Sequence, residues 1–180
     1  MVVFPTPRLV VFALILAALS GCESLTDAEC VSADWYQIGV TDGAEGRGTD
    51  RIEAHRKACA DVGVAPDAER WLAGRERGLR LYCTPAKAYE VGREGRSIRP
   101  GCTEVELQRM APAYEEGRNY WRLELEIRDL KSDIREIDHD LASLPPDASA
   151  ARARLFAERA RLLSRLSLVE LQQRRYAIWP

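Results

Sequence analysis

The chain has 180 residues, with 26 Lys+Arg against 28 Asp+Glu, a formal net charge of −2 and two histidines. A near-neutral chain offers no basic field to nucleic acid, and two histidines leave little material for an imidazole-rich metal centre. The length suits one compact domain, or a small domain with a helical appendage.

Arg8 is the only charge before Cys22, the apolar run Leu9 to Leu19 follows it, and the small residues Ser20 and Gly21 precede the cysteine. A membrane-spanning helix needs about 20 apolar residues, so this shorter run reads as a signal peptide, residues 1–21, that is removed. Leu19-Ser20-Gly21-Cys22 resembles the lipobox of bacterial lipoproteins, in which the cysteine thiol is diacylated and the chain is cut just before it. That resemblance implies lipid attachment at Cys22 and the membrane as partner, held by several acyl chains at about 0.8 kcal/mol per buried CH2. By similarity to enterobacterial sorting, where Asp in the next position retains a lipoprotein in the inner membrane, Glu23 favours the outer membrane, facing the periplasm. Residues 22–32 then read as a lipidated tether.

With Cys22 taken by lipid, Cys30, Cys59, Cys83 and Cys102 remain. An even number in an oxidising compartment reads as two disulfides with three connectivities open. Asp34 caps a helix running toward Glu45, with Gly43, Gly46 and Gly48 at its exit. Thr49 or Asp50 starts the next helix, which carries Ile52, Ala58 and Cys59 before Gly63. If these two helices fold back near Gly46, Cys30 and Cys59 meet at the open end, which favours pairing Cys30 with Cys59 and Cys83 with Cys102. Pro66-Asp67 starts a third helix ending near Tyr82, and Thr84-Pro85 caps a fourth, with proline at a position where no N–H is missed.

Four aromatic-x-x-Gly units recur: Tyr36 to Gly39, Trp71 to Gly74, Tyr89 to Gly92 and Tyr114 to Gly117, the last three followed by Arg75, Arg93 and Arg118. Glycine inside a helix costs about 0.5–1 kcal/mol against alanine, so four coincidences need a reason. Close packing of a neighbouring helix is the first. A ligand groove is the second, in which Trp71, Arg75, Tyr89, Arg93, Tyr114 and Arg118 are candidate ligand or anion contacts. The unequal steps between units exclude a regular solenoid, which has a fixed period.

From Tyr120 the residues Leu123, Ile127, Leu130, Ile134, Ile137, Leu141 and Leu144 form a heptad seam that Pro145-Pro146 stops. A second arm carries Leu155, Leu162, Leu166, Val169 and Tyr176, with Arg159 and Gln173 at seam positions. Residues 113–144 hold five basic and nine acidic residues and residues 149–180 seven and two, so the arms should pair with each other. The expected fold is mostly α: a small disulfide-stapled helical domain at 33–111, then a long antiparallel, coiled-coil-like helical hairpin at 112–180.

No HExxH, GxSxG or P-loop occurs. His55 and Cys59 lie one helical turn apart but form no complete zinc set; His55 with Glu53 or Asp61 can be drawn as an acid–base pair, as can many pairs in a chain that is 30% charged, and His139 falls at an outward position. The expectation is therefore no enzyme, no cofactor and no metal.

Asp34-Trp35 with Gly39, Asp42-Gly43 with Gly46, Gly78-Leu79 with Tyr82-Cys83, and Tyr89 with Gly92, in this order after a cysteine, resemble the bacterial lipoproteins of domain-of-unknown-function family 2799. The resemblance covers roughly residues 30 to 120; Val40 stands where that family usually has arginine. It implies envelope location and helical character and brings no activity. The expected role is a non-enzymatic structural or protein-interaction module of the envelope with an envelope protein as partner; the alternative is a small-ligand or glycan-binding periplasmic lipoprotein.

Overall fold

The computed structural model describes residues 24–179, so the signal segment and Cys22 lie outside the described residues. It holds seven α-helices and, among the described residues, no strand. The chain divides into two compact units, residues 1–80 and 81–180.

In the first unit, α1 (Asp27–Val31) precedes α2 (Trp35–Ala44), α3 (Arg51–Ala58) and α4 (Ala68–Tyr82). Thr26 and Glu29 form a reciprocal capping box: the Glu29 carboxylate accepts from the Thr26 N–H at 2.7 Å and the Thr26 hydroxyl accepts from the Glu29 N–H at 3.4 Å. Leu25 packs against a core of Cys30, Trp35, Cys59 and Trp71. The segment expected to be a tether is therefore folded from Leu25 onward. Cys30 is bonded to Cys59 across the α1 and α3 ends, their α-carbons 5.5 Å apart.

The α2·α4 contact is made by bare backbone. A β-carbon added to Gly39 would fall on the Trp71 carbonyl, and one on Gly74 would fall on the Tyr36 carbonyl. One turn on, Gly43 meets the Arg75 carbonyl and Gly78 the Val40 carbonyl. The contact is reciprocal: the aromatic residue opening each unit gives its carbonyl to the glycine of the other. Such closeness lets glycine Cα–H groups approach carbonyl oxygens, a weak contact worth about 0.5–1 kcal/mol.

The second unit repeats the device. It comprises α5 (Pro85–Arg93), α6 (Glu104–Ser143) and α7 (Ser149–Arg174). Thr84 caps α5 with Pro85 in the first turn, and Thr103 with Glu106 forms a second capping box on α6. Gly92 faces the Tyr114 carbonyl and Gly117 the Tyr89 carbonyl. Cys83 is bonded to Cys102, again with α-carbons 5.5 Å apart. The two disulfides stand at matching places: each first cysteine (Cys30, Cys83) lies six residues before its aromatic (Tyr36, Tyr89), and each second (Cys59, Cys102) lies twelve before its own (Trp71, Tyr114). Four unevenly spaced units are thus two pairs, each a crossed helix pair stapled by one disulfide.

Helix α6 runs unbroken for 40 residues, about 60 Å at 1.5 Å per residue, with Pro112 inside it. The boundary expected at 111/112 therefore falls within a continuous helix, and the units divide near residue 80 instead. The reason is visible in the glycine contact: α6 must begin early enough to supply Ala113, Tyr114 and Gly117 to α5 before it goes on to α7.

Beyond Trp121, α6 packs on α7. Glu124 accepts from Gln173 at 2.6 Å, and Glu126, Lys131 and Asp138 pair with Arg165, Glu170 and Arg159 at 2.8, 3.0 and 2.6 Å. Glu124, near the start of this stretch of α6, meets Gln173 near the end of α7, while Asp138, further along α6, meets Arg159 nearer the start of α7, so the two run antiparallel. Ile127, Leu130 and Val169 form the buried centre with Leu123, Leu162 and Leu166 around them; Ile134 and Ile137 extend the buried row. Arg159 and Gln173, the polar seam residues, are the ones that reach across to Asp138 and Glu124. His139 is exposed.

Candidate functional site

In α2, Trp35, Gly39, Asp42 and Gly43 are buried together, which places a carboxylate on the face that meets α4. Asp42 is 6% exposed, and its Oδ2 accepts from His55 Nε2 at 2.7 Å and from Trp71 Nε1–H at 2.9 Å. Arg51 Nε, itself buried without a hydrogen-bond partner, lies 3.5 Å from Oδ1. Burial alone would push the Asp42 carboxyl up; the hydrogen bonds from His55 and Trp71, with the charges of His55 and Arg51, outweigh it and hold the group below its ordinary value.

His55, 1% exposed, is packed between the rings of Trp35 and Trp71 at 6.1 and 6.4 Å. Its other ring nitrogen, Nδ1, lies 2.9 Å from the Ser24 hydroxyl. With Nε2–H given to Asp42, a neutral ring accepts from Ser24 and a protonated ring donates to it, so the bond survives either state. A cleft of about 380 Å3 opens here, lined by Ser24, Glu29, Asp42, Arg47, Arg51 and His55 among others. The acid partner of His55 is Asp42, not Glu53 or Asp61. Cys59, one turn along α3, has its sulfur in the disulfide and offers no ligand atom to a metal. Of the described His, Cys, Asp and Glu side chains, Cys83, Cys102 and Glu106 also converge, but the two sulfurs there are bonded to each other.

The six arginine and aromatic residues singled out above are all engaged. Trp71 is wholly buried. Arg75 donates to the Arg47 carbonyl at 2.7 Å, and Arg118 donates to the Gly95 carbonyl at 3.1 Å while lying over the Trp121 ring at 4.6 Å. These two arginines do the same work: each follows the second glycine of its pair and ties down the turn that ends the partner helix, at Gly46 (φ +71°) and Gly95 (φ +70°). Tyr114 donates to the Arg96 carbonyl at 3.1 Å. Tyr89 donates to the Tyr176 carbonyl at 2.7 Å, and Arg93 to the Ala177 carbonyl at 3.3 Å. None of the six lines the cleft beside His55.

Residues 34–119 match a family model, Protein of unknown function (DUF2799). No curated protein and no solved structure matches the chain. The DUF2799 segment opens at Asp34, the cap of α2, and closes two residues beyond Gly117. It therefore contains all four aromatic-x-x-Gly units, Asp42, His55 and Trp71, and both halves of the glycine device. Outside it lie Ser24 and the whole of α7.

Asp42 entered the sequence reading only as part of the family pattern, with no role assigned to it. Its signal was position: it follows Trp35 and Gly39 at helical spacing, a carboxylate on an otherwise apolar, glycine-bearing stripe. Ser24 had no signal of its own.

Proposed function

We propose that the protein is a lipid-anchored, non-enzymatic interaction module of the bacterial cell envelope, held at the outer membrane through Cys22. The observation that carries the interaction role is the outer face of α7. Phe156, Leu163, Leu168 and Leu171 are 55, 38, 68 and 58% exposed. At helical spacing they share one face with Ala153, Ala157, Ala160, Ser164 and Ser167, all exposed, and no charged side chain interrupts it over 153–171. Isolated exposed leucines need no explanation, but a contiguous apolar face on a helix that already buries its opposite side does. Small residues between large ones let a second helix approach closely. Arg154 and Arg161 flank the face and form no ion pair among the described residues. The occupant that fits is an apolar helix of an envelope protein with acidic residues on its edge.

The supporting argument against an enzyme is chemical. Ser24, His55 and Asp42 follow one another as hydroxyl, imidazole and carboxylate, but the imidazole is enclosed by two tryptophans and its bonds fasten the segment before α1 to α2. Against a glycan groove stands the use of the arginine and aromatic residues inside the fold.

The test has two arms. The intact mass of the detergent-extracted protein should show an acylated Cys22, and an unmodified amino terminus removes the anchor. A photo-crosslinker at position 163 should give one defined adduct in the envelope that Arg154→Glu with Arg161→Glu abolishes. An adduct indifferent to those charges, or no adduct, removes the proposed face.

A further inference from the structure

Three arginines follow the glycine of an aromatic-x-x-Gly unit, and one behaves unlike the others. Arg75 and Arg118 hold the turns of their own crossed pairs. Arg93 instead lies over the Tyr120 ring at 4.1 Å and donates to the carbonyl of Ala177. The matching position in the first unit is Val40, so the first unit lacks this donor.

What Arg93 holds is the short irregular segment after α7. Tyr89 donates to the Tyr176 carbonyl at 2.7 Å, and Arg93 to the next carbonyl, at 3.3 Å. Ile178 then turns outward, 83% exposed, and Trp179 turns in: its ring stacks on Tyr89 at 6.5 Å and 29° and joins the cluster of Ala88, Met110 and Ala113. Two side-chain donors on main-chain carbonyls read backbone and no side chain. Only the aromatic ring is read by shape. Tyr176 and Ala177 still belong to the turn that ends α7, their N–H groups donating to the Gln173 and Arg174 carbonyls at 2.9 and 3.3 Å, so what the face holds is a turn followed by two irregular residues.

The seat and its guest also differ in provenance within the chain. Tyr89 and Arg93 lie inside the DUF2799 segment, residues 34–119, whereas residues 176–179 lie outside it.

We infer that the Tyr89–Arg93 face of α5 is a binding site for a short turn-forming peptide carrying an aromatic residue three positions after the first carbonyl held, and that residues 176–179 occupy it in cis. This goes beyond the reading of α7 and stands whether or not Cys22 is acylated. The guest is carried to its seat on the same chain, through α6 and α7, so it binds intramolecularly and a peptide from another protein binds only when the cis segment leaves.

The experiment compares the full chain with one ending at Arg175, titrated with a fluorescent peptide of residues 174–180 and with the same peptide carrying Trp179→Ala. The shortened chain should bind the natural peptide at least tenfold more tightly than the full chain does. It should bind the Trp179→Ala peptide at least tenfold more weakly than the natural one, and Arg93→Ala should weaken the natural peptide. A folded shortened chain that does not bind, or that binds both peptides alike, overturns the inference. If the shortened chain does not fold, the full chain with Trp179→Ala is titrated instead; binding above the wild-type level supports the site, and none overturns it.

Discussion

Gly39 and Gly74 are reciprocal: each lies where a side chain would strike the carbonyl of the aromatic residue three positions before the other, Trp71 for Gly39 and Tyr36 for Gly74. Helix propensity alone favours alanine over glycine by about 1 kcal/mol. Here the sign reverses, because the obstructing atoms are backbone and cannot rotate away. Gly39→Ala should lower the stability of the first unit by roughly 1–3 kcal/mol, the usual cost of overpacking. Chemical denaturation of the variant, set against the wild type, checks it; an alanine that stabilises would show the helices free to separate.

The disulfides should act locally. Cys30–Cys59 closes 29 residues of sequence separation and Cys83–Cys102 closes 19, each within one unit. Loops of this size confer about 3 kcal/mol in the chain-entropy model. Cys30→Ser with Cys59→Ser should speed amide hydrogen exchange in α2 and α4 and leave α5 and the start of α6 as they were. Equal loss of protection in both units would mean that they unfold as one.

Asp42 predicts an acid limit. Its carboxyl is held below the ordinary value of about 3.9, so the folded state binds its proton less readily than the unfolded chain does. The stability it contributes is present above the unfolded value and is lost as pH falls through the folded one. Asp42→Asn should therefore be less stable than wild type at neutral pH, with the gap constant down to about pH 5 and narrowing below pH 4. Thermal melts of both proteins across that range decide it; a gap that widens on acidification would reverse the sign of the effect.

In the α6·α7 pair the apolar row should dominate. Ile134 is 8% exposed, and Ile134→Ala should cost about 2–4 kcal/mol. The side chains of Arg159 and Asp138 are 36 and 47% exposed, so removing that ion pair with Arg159→Ala should cost less than about 1 kcal/mol. Urea midpoints measure both, and the reverse order would mean that charge carries the pairing.

Much of the architecture was legible because its causes are local. Asp34, Thr84-Pro85 and Pro145-Pro146 mark helix ends by chemistry that operates within a few residues, and the heptad row from Leu123 to Ile137 names its own buried side. The pairing of the aromatic-x-x-Gly units was not legible, since steps along the chain say nothing of which two helices cross. That one helix runs through 111/112 was not legible for a related reason: the contact of Gly117 with the Tyr89 carbonyl, which calls for the helix to begin earlier, is tertiary. The site was harder still. Asp42, His55 and Ser24 are brought together by tertiary packing, from positions 13 and 31 residues apart. Arg93 was visible as a residue, but its guest comes from 84 residues further on.

The bond between Ser24 and His55 has a consequence for reach. Ser24 is fixed to the folded body, and it stands two residues after Cys22. Two residues of fully extended chain span at most about 7 Å. If Cys22 carries lipid, the first unit has no leash: it must rest on the headgroups themselves, and its neighbours are things that lie in or on the same leaflet. Lengthening that stretch with a run of Gly and Ser would then lift the body off the bilayer without touching a single contact in it.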